Sequence, residues 1–385
     1  MNPVGALLDG MQKRFLIVGV LGLAAFIATS ASDMTQLYRS YLTAYLMWGG
    51  MAFGSLGILM LHHMVGGGWG VAIRRGLEAG TRTLPLVFIM SLPLILGMHE
   101  LYEWSHADVV AKDPILQHKS AYLNSGFFIV RLIVYFVIFI GLATLLNKYS
   151  KEQETAGYWA VRPKLQKVSA PGLLIFVTAA TFAAFDWMMS LEPHWFSTVY
   201  GAMYLIGCVL ATFAFNIILV RKLMQQEGMG NLVPGKVFHD LGNLLLAFTM
   251  FFAYLAFSQF LIIYSANLPE EIVWYVRRMN GGWGGVFAVL TAFHFAVPFL
   301  LLLFRKNKKN AGTLVVIASL ILVMRMVELF WEIQPAFAHA ENGMPNPHFA
   351  VHPSDLTALV GVGGLWIAFF FFQLKKRPIE PLPLA

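Results

Sequence analysis

An all-α, polytopic membrane protein is the fold class this sequence predicts, and three observations predict it. Hydrophobic residues make up 58% of the 385 and charged residues only 12%, a balance that no water-soluble globule of this length carries. The apolar residues gather into ten windows, each close to the roughly 20 residues that a spanning helix needs. Lys and Arg are distributed unevenly over the connections between those windows. No connection exceeds about 25 residues, so no separate soluble domain is expected and residues 1–385 read as a single integral membrane domain.

Taken in order, the predicted spans are Phe15 to Ala31, Tyr41 to Met64, Thr83 to Tyr102, Ala121 to Leu146 and Ala170 to Leu191. The second five are Trp195 to Val220, Phe238 to Ser265, Gly282 to Phe304, Ala311 to Trp331 and Leu356 to Leu374. The first window has features of a signal peptide, with Lys13-Arg14 before an apolar run and Ala28-Thr29-Ser30-Ala31 after it. It is expected to be retained as a true span. Ten spans then return both termini to one face.

That face follows from the positive charges. Twenty of the 27 Lys and Arg lie at the two ends or in the even connections, from Lys13 and Arg14 to Lys375, Lys376 and Arg377. The odd connections hold only Arg39, Lys112, Lys119, Arg277 and Arg278, while Arg131 and Arg325 fall inside spans. Retention of positive charge in the cytoplasm therefore predicts cytoplasmic termini. The same asymmetry accounts for the net charge of +7 through loops that face anionic lipid, with no need for a nucleic acid partner.

Charges inside the spans are the informative residues, because each costs roughly 3 kcal/mol on insertion scales and is rarely kept without a partner or a task. Asp186, Glu192 and His194 fall within nine positions at the seam of two apolar runs. Arg131 lies about ten residues inside the outer end of its span, and Arg325 about nine inside its own. Arg325, Glu328 and Glu332 are spaced i, i+3, i+7 and so share one helix face. His99, Glu100 and Glu103 close the outer end of the third span. The whole set is expected to face the bundle interior, either as an ion-pair network that locks packing or as a proton relay or quinone pocket. His239, Asp240 and the mid-span His294 are candidates for proton entry from the other side, although His239 and Asp240 also suit a helix start.

An internal echo supports a two-fold plan: at an offset of about 142 residues, Asp186 falls on Glu328, Glu192 on Gln334 and Pro193 on Pro335. Spans two to five (33–191) and six to nine (194–335) would then be two four-helix units of like orientation, with spans one and ten flanking them. Gly49, Gly50, Gly54 and Gly57 read as a small face for close helix approach. Trp187, Trp195, Trp274, Trp283 and Trp331, near span ends, read as anchors at headgroup depth. No span is expected to be interrupted at mid-membrane.

The single cysteine, Cys208, reads as a core residue; one thiol supplies neither covalent haem attachment nor an iron–sulfur cluster. His294 has no obvious partner at its depth for a bis-histidine haem. His348 and His352, at i and i+4, resemble a metal pair, but Pro345, Pro347 and Pro353 make that loop a surface turn for docking, so no metal site is predicted.

Phe185 through Ser197, together with His239 through Phe248 and the run Ala256 through Glu271 that includes Ser258 and Gln259, closely resembles the ActF family of membrane subunits from bacterial alternative complex III. The resemblance runs from about Leu84 to Trp331. It implies an NrfD-like fold of two four-helix bundles plus a helix at each end, in the cytoplasmic membrane of a bacterium. It further implies a quinol:electron-acceptor oxidoreductase complex with a multihaem cytochrome c, an iron–sulfur subunit, a monohaem cytochrome c, an ActC-type NrfD-like subunit and small membrane subunits. Haem and iron–sulfur centres would belong to those partners. This subunit would contribute proton translocation and bind a quinone or menaquinone, along a path through Asp186, Glu192, His194, Arg325, Glu328 and Glu332. Read from residues alone, a proton-coupled secondary transporter and a scaffold subunit remain the alternatives.

Overall fold

The computed structural model describes residues 3–226, 235–337, 340–341, 344–345 and 348–379. Pro347, one of the prolines of the last loop, lies outside them. Apart from a two-residue antiparallel ladder between Ala340–Glu341 and Met344–Pro345, the regular structure of the described residues is helical. Among the described residues nine helices are long and apolar enough to cross a membrane, and a bent pair, taken as one span, makes a tenth. The chain is a multi-pass membrane protein.

The helices that position the site are α1 (Pro3–Ser30), α2 (Met34–Val65), α3 (Gly68–Thr81), α4 (Leu84–Leu96), α5 (Ser125–Ala156) and α6 (Tyr158–Trp187). They continue with α7 (Tyr200–Met224), α8 (Gly235–Ala266), α9 (Pro269–Met279), α10 (Trp283–Leu303), α11 (Arg305–Lys309), α12 (Ala311–Ile333) and α13 (Pro353–Leu374).

At the centre stand α2 and α7, packed on each other. Every residue of α2 from Ser40 to Met60 is buried, so this helix is apolar all round because it meets protein on every side. The glycines predicted to allow close helix approach do so, Gly50 and Gly54 against α7, Gly49 against Val87 of α4 and Gly57 against Phe176 of α6. A Cβ at Gly54 would lie 2.3 Å from the Thr212 hydroxyl, and one at Gly50 would lie 2.8 Å from the Cys208 sulfur. Cys208 is buried at that contact, as a core residue should be. The two flanking helices meet each other: α1 and α13 cross at Gly19, Gly22, Gly361 and Gly364, where a Cβ on Gly364 would come 2.4 Å from the Gly19 Cα.

Three predicted boundaries are corrected. Spans four and five run on into α5 and α6, because hydropathy detects the apolar middle of a helix and not its wetted ends, so Lys148, Lys151 and Lys164 stand on helix and not in a loop. The third span is also different: α4 covers only 13 residues, ends before Gly97, and follows α3 across a 44° bend. Span continuity therefore fails at α3 and α4. Arg74 and Arg75, assigned to a solvated connection, are buried on α3 around Glu78. Glu78 accepts from Arg74 Nε at 2.7 Å, Arg75 Nη1 at 2.8 Å and the Ser150 hydroxyl at 2.5 Å. Glu154 then joins Arg75 to Arg377 beyond α13, each at 2.9 Å.

The predicted tryptophan anchors are also corrected. Trp187, Trp195, Trp274, Trp283 and Trp331 are all buried in the protein, where aromatic neighbours take the place of headgroups; Trp195 stacks on Trp274 with centroids 5.0 Å apart.

Candidate functional site

The buried charges that the sequence singles out in spans four to nine form two separate sites. Among the described residues no ion pair or hydrogen bond joins one to the other.

The first is a closed pair. α5 presents Arg131 to Asp186 near the end of α6, in a bidentate fork with Nε to Oδ2 at 2.8 Å and Nη2 to Oδ1 at 2.9 Å. Tyr135, one turn along α5, donates its hydroxyl to Asp186 Oδ2 at 2.8 Å. The remaining Arg131 Nη1 donates to the Tyr122 carbonyl at 2.6 Å, and the guanidinium plane lies 3.8 Å from the Tyr122 ring centroid. Asp186 is 1% exposed and both of its oxygens are engaged. Such a fork is the strongest arrangement available to a buried pair, and it engages both carboxylate oxygens.

The second site is open. Arg325 on α12 donates Nη1 to Glu328 Oε1 at 2.6 Å, one turn along the same face. Glu328 Oε2 has no hydrogen-bond partner and stands 3.4 Å from Nδ1 of His294. Glu332 Oε2, one further turn along, has none either, nor has His294 Nε2. Buried polar atoms are nearly always satisfied, so three bare ones in one place call for an explanation. They border a cavity of about 500 Å³ walled by Phe252, Phe260, Tyr275, Phe287, Leu290 and Trp331. Met250, Tyr254 and Phe257, which also line it, are exposed on the outer face of α8. The cavity therefore opens sideways toward lipid, between α8 and α10.

Local backbone explains how His294 reaches this place. Residues Leu290–Ala296 of α10 form a π-helical turn. Pro298 has no N–H to give to the His294 carbonyl four residues back, so the regular ladder is already broken there, and the widened turn rotates the imidazole inward. π-turns of this kind recur at functional sites.

Helix α9 closes the cavity at the end where α6 and α12 finish. Its apolar and charged faces alternate so that Trp274, Tyr275 and Arg278 are buried together. Arg278 holds Glu192 Oε2 at 2.7 Å and donates to the Glu332 carbonyl at 2.5 Å, and Arg277 holds Glu192 Oε1 at 2.9 Å. Glu192 thus belongs to the lid of the second site and not to the Asp186 pair beside it in sequence. Burial pushes the Tyr275 phenol up to about 12, so it is a hydrogen-bond donor at the cavity wall at neutral pH. Gln259 accepts from Ser197 at 2.8 Å and faces the Tyr275 hydroxyl at 3.4 Å.

His194 is the clearest correction. Pro193 is followed by a turn that carries it into solvent, where it pairs with Asp113 at 2.5 Å, away from both buried sites. That hydrogen bond holds the Asp113 carboxyl below the usual carboxylate range. Nor do the residues past α4 join a relay. His99 contacts Ser105 at 3.1 Å, Glu100 accepts from Thr35 at 2.6 Å, and Glu103 is exposed. Ser258 is half-buried on α8. His239 and Asp240, 3.6 Å apart, lie at the lysine-rich end of α8, far along the helix from Gln259. His352 caps α13, its ring accepting from the Ser354 amide.

The lid residues Trp274, Tyr275, Arg277 and Arg278 and the His294–Glu328 contact are what sequence reading missed. The alternation in Pro269–Met279, with acids in its first turn and arginines in its last, was the available signal. Among the described residues, no group of three or more His, Cys, Asp or Glu is placed to hold a metal ion. A scan against protein-family models and a search of curated proteins return no match to this chain.

Proposed function

We propose that this chain is the ActF-like, NrfD-like membrane subunit of a bacterial quinol-oxidising electron-transfer complex of the alternative complex III type, and that its task is proton transfer at the Glu328–Glu332 cavity. One observation carries the reading: an apolar cavity of about 500 Å³, open to the lipid side, ends on two carboxylate oxygens and an imidazole nitrogen that have no hydrogen-bond partner among the described residues. Aromatic walls with a few convergent polar groups suit a flat ring bearing hydroxyls. A bound quinol would supply two hydroxyl protons there while its two electrons leave to haem or iron–sulfur centres in partner subunits. Glu332 and Glu328 act as proton acceptors in hydrogen-bond reach of the cavity. Arg325 offsets their charge, and Tyr275 donates to an oxygen at the wall. Arg278, which donates to the Glu332 carbonyl, and Glu192, held by Arg277 and Arg278, close that end of the cavity.

The helix packing supports the two-unit plan of the NrfD-like fold. α2, α4, α5 and α6 pack among themselves, as do α7, α8, α10 and α12, and α2 meets α7 between them. On this reading the lysine-rich end and both termini face the cytoplasm. The partners are those of the complex: multihaem and monohaem cytochromes c, an iron–sulfur subunit, an ActC-type subunit and small membrane subunits.

A second reading, a proton-coupled secondary transporter, is favoured by the bent α3–α4 pair and the π-turn of α10, since transporters build coupling sites on broken helices. Purification separates the two. Tagged chain extracted from its native membrane in mild detergent is expected to bring down c-type haem absorbance and iron in fixed proportion. Elution as a lone homo-oligomer, with proton-coupled solute uptake after reconstitution, would favour the transporter.

A further inference from the structure

At the lysine-rich end, α8 begins beside the short α11, and a concavity of about 620 Å³ separates them. Lys236, His239 and Asp240 line it from α8, and Arg305 and Lys309 from the α10–α12 connection. Arg305 and Lys309 stand at i and i+4 and so project from one face of α11. That face is held toward α8 by Lys308, whose stem lies across Gly242 so closely that a Cβ there would come 2.8 Å from it. Three permanent cations thus converge on one hollow with a single carboxylate among them, and like charges kept together repel unless an anion lies between them. Next along the chain, α10 ends in Leu300, Leu303 and Phe304, all exposed. The hollow therefore sits where a polar surface gives way to a lipid-facing helix.

We propose that this hollow binds the headgroup of an anionic, hydroxyl-bearing glycerophospholipid. Lys236, Arg305 and Lys309 hold the phosphodiester, Asp240 accepts from a headgroup hydroxyl, and the acyl chains lie along Leu300, Leu303 and Phe304. Basic pockets between membrane helices recognise phospholipid headgroups by this chemistry. The apolar track below the cations favours a lipid over free phosphate or an acidic partner segment, because only a lipid uses both halves of the surface.

The test uses the full-length chain in phosphatidylcholine nanodiscs, titrated with phosphatidylglycerol and followed by thermal melting and by native mass spectrometry. A ligand that binds only the folded chain raises the melting temperature. The intact chain is expected to gain melting temperature and to retain one phosphatidylglycerol through delipidation. The Lys236→Gln, Arg305→Gln, Lys309→Gln triple variant is expected to melt as the parent does in phosphatidylcholine alone, but to bind phosphatidylglycerol at least about tenfold more weakly. Lys164→Gln, another exposed cation, is expected to bind as the parent does. Equal binding by the triple variant, or no preference over phosphatidylcholine, would overturn the site. Displacement of the lipid by millimolar inorganic phosphate would overturn the lipid assignment in favour of free phosphate.

Discussion

Asp186 and Glu332 are both acids at the same end of long membrane helices, yet one is locked and the other left open. Asp186 receives an arginine from a neighbouring helix, a tyrosine hydroxyl and no cavity. Glu332 receives no partner for Oε2 and borders about 500 Å³ of apolar space. A buried charge therefore marks function only where its hydrogen-bonding capacity is unspent. A satisfied fork rigidifies the bundle, whereas an unsatisfied carboxylate lowers stability unless a ligand or a proton completes it.

The largest effect is expected at the closed site. Arg131→Met strands a buried carboxylate and is expected to destabilise the protein by about 3–5 kcal/mol, measured as unfolding in mixed micelles, while the Arg131→Met/Asp186→Leu pair recovers most of that loss. If the single variant is as stable as the parent, the closed site is not a structural pair. At the open site the sign reverses. Glu332→Gln keeps the shape and removes an unsatisfied charge, so stability in the same assay should change by less than about 1 kcal/mol. A large loss there would mean that Glu332 has a structural partner.

A smaller effect sharpens the boundary between both sites and the surface. The His194–Asp113 pair tethers two exposed turns at that end of the bundle. Because the Asp113 carboxyl is held below its usual range, its contribution is present above the ordinary carboxylate pKa and is lost as pH falls through the lowered value. Hydrogen exchange in residues 107–119 should quicken by no more than a few-fold over that acid window, and His194→Ala should weaken the pH dependence, leaving the part due to the Ile115 and Leu116 amides that Asp113 also accepts from. Exchange that stays flat with pH in the parent would remove the tether.

Much of the fold was legible, because hydropathy and charge asymmetry act on whole segments. Nine of the ten spans, close-packing glycines on α2 and a core cysteine all follow from composition within a window. Helix α3 was missed because Arg74, Arg75 and Glu78 look solvated one by one and are buried only by neutralising each other and Glu154. The candidate site was half legible. Arg325, Glu328 and Glu332 share a face by spacing alone. Which of the acids is engaged depends on Arg131, Arg278 and His294 arriving from other helices, and one-dimensional spacing holds no record of that. His194 was misjudged for a related reason: adjacency to Glu192 in sequence says nothing about which side of a turn each residue takes.

On the proposed function, protons are handled at the open site and not at the closed one. The decisive measurement is protons moved per electron in vesicles reconstituted with the proposed complex, comparing Glu332→Gln with the Arg131→Met/Asp186→Leu pair. The account predicts a lowered ratio for Glu332→Gln and the parental ratio for the pair. A parental ratio for Glu332→Gln with a lowered one for the pair would contradict it.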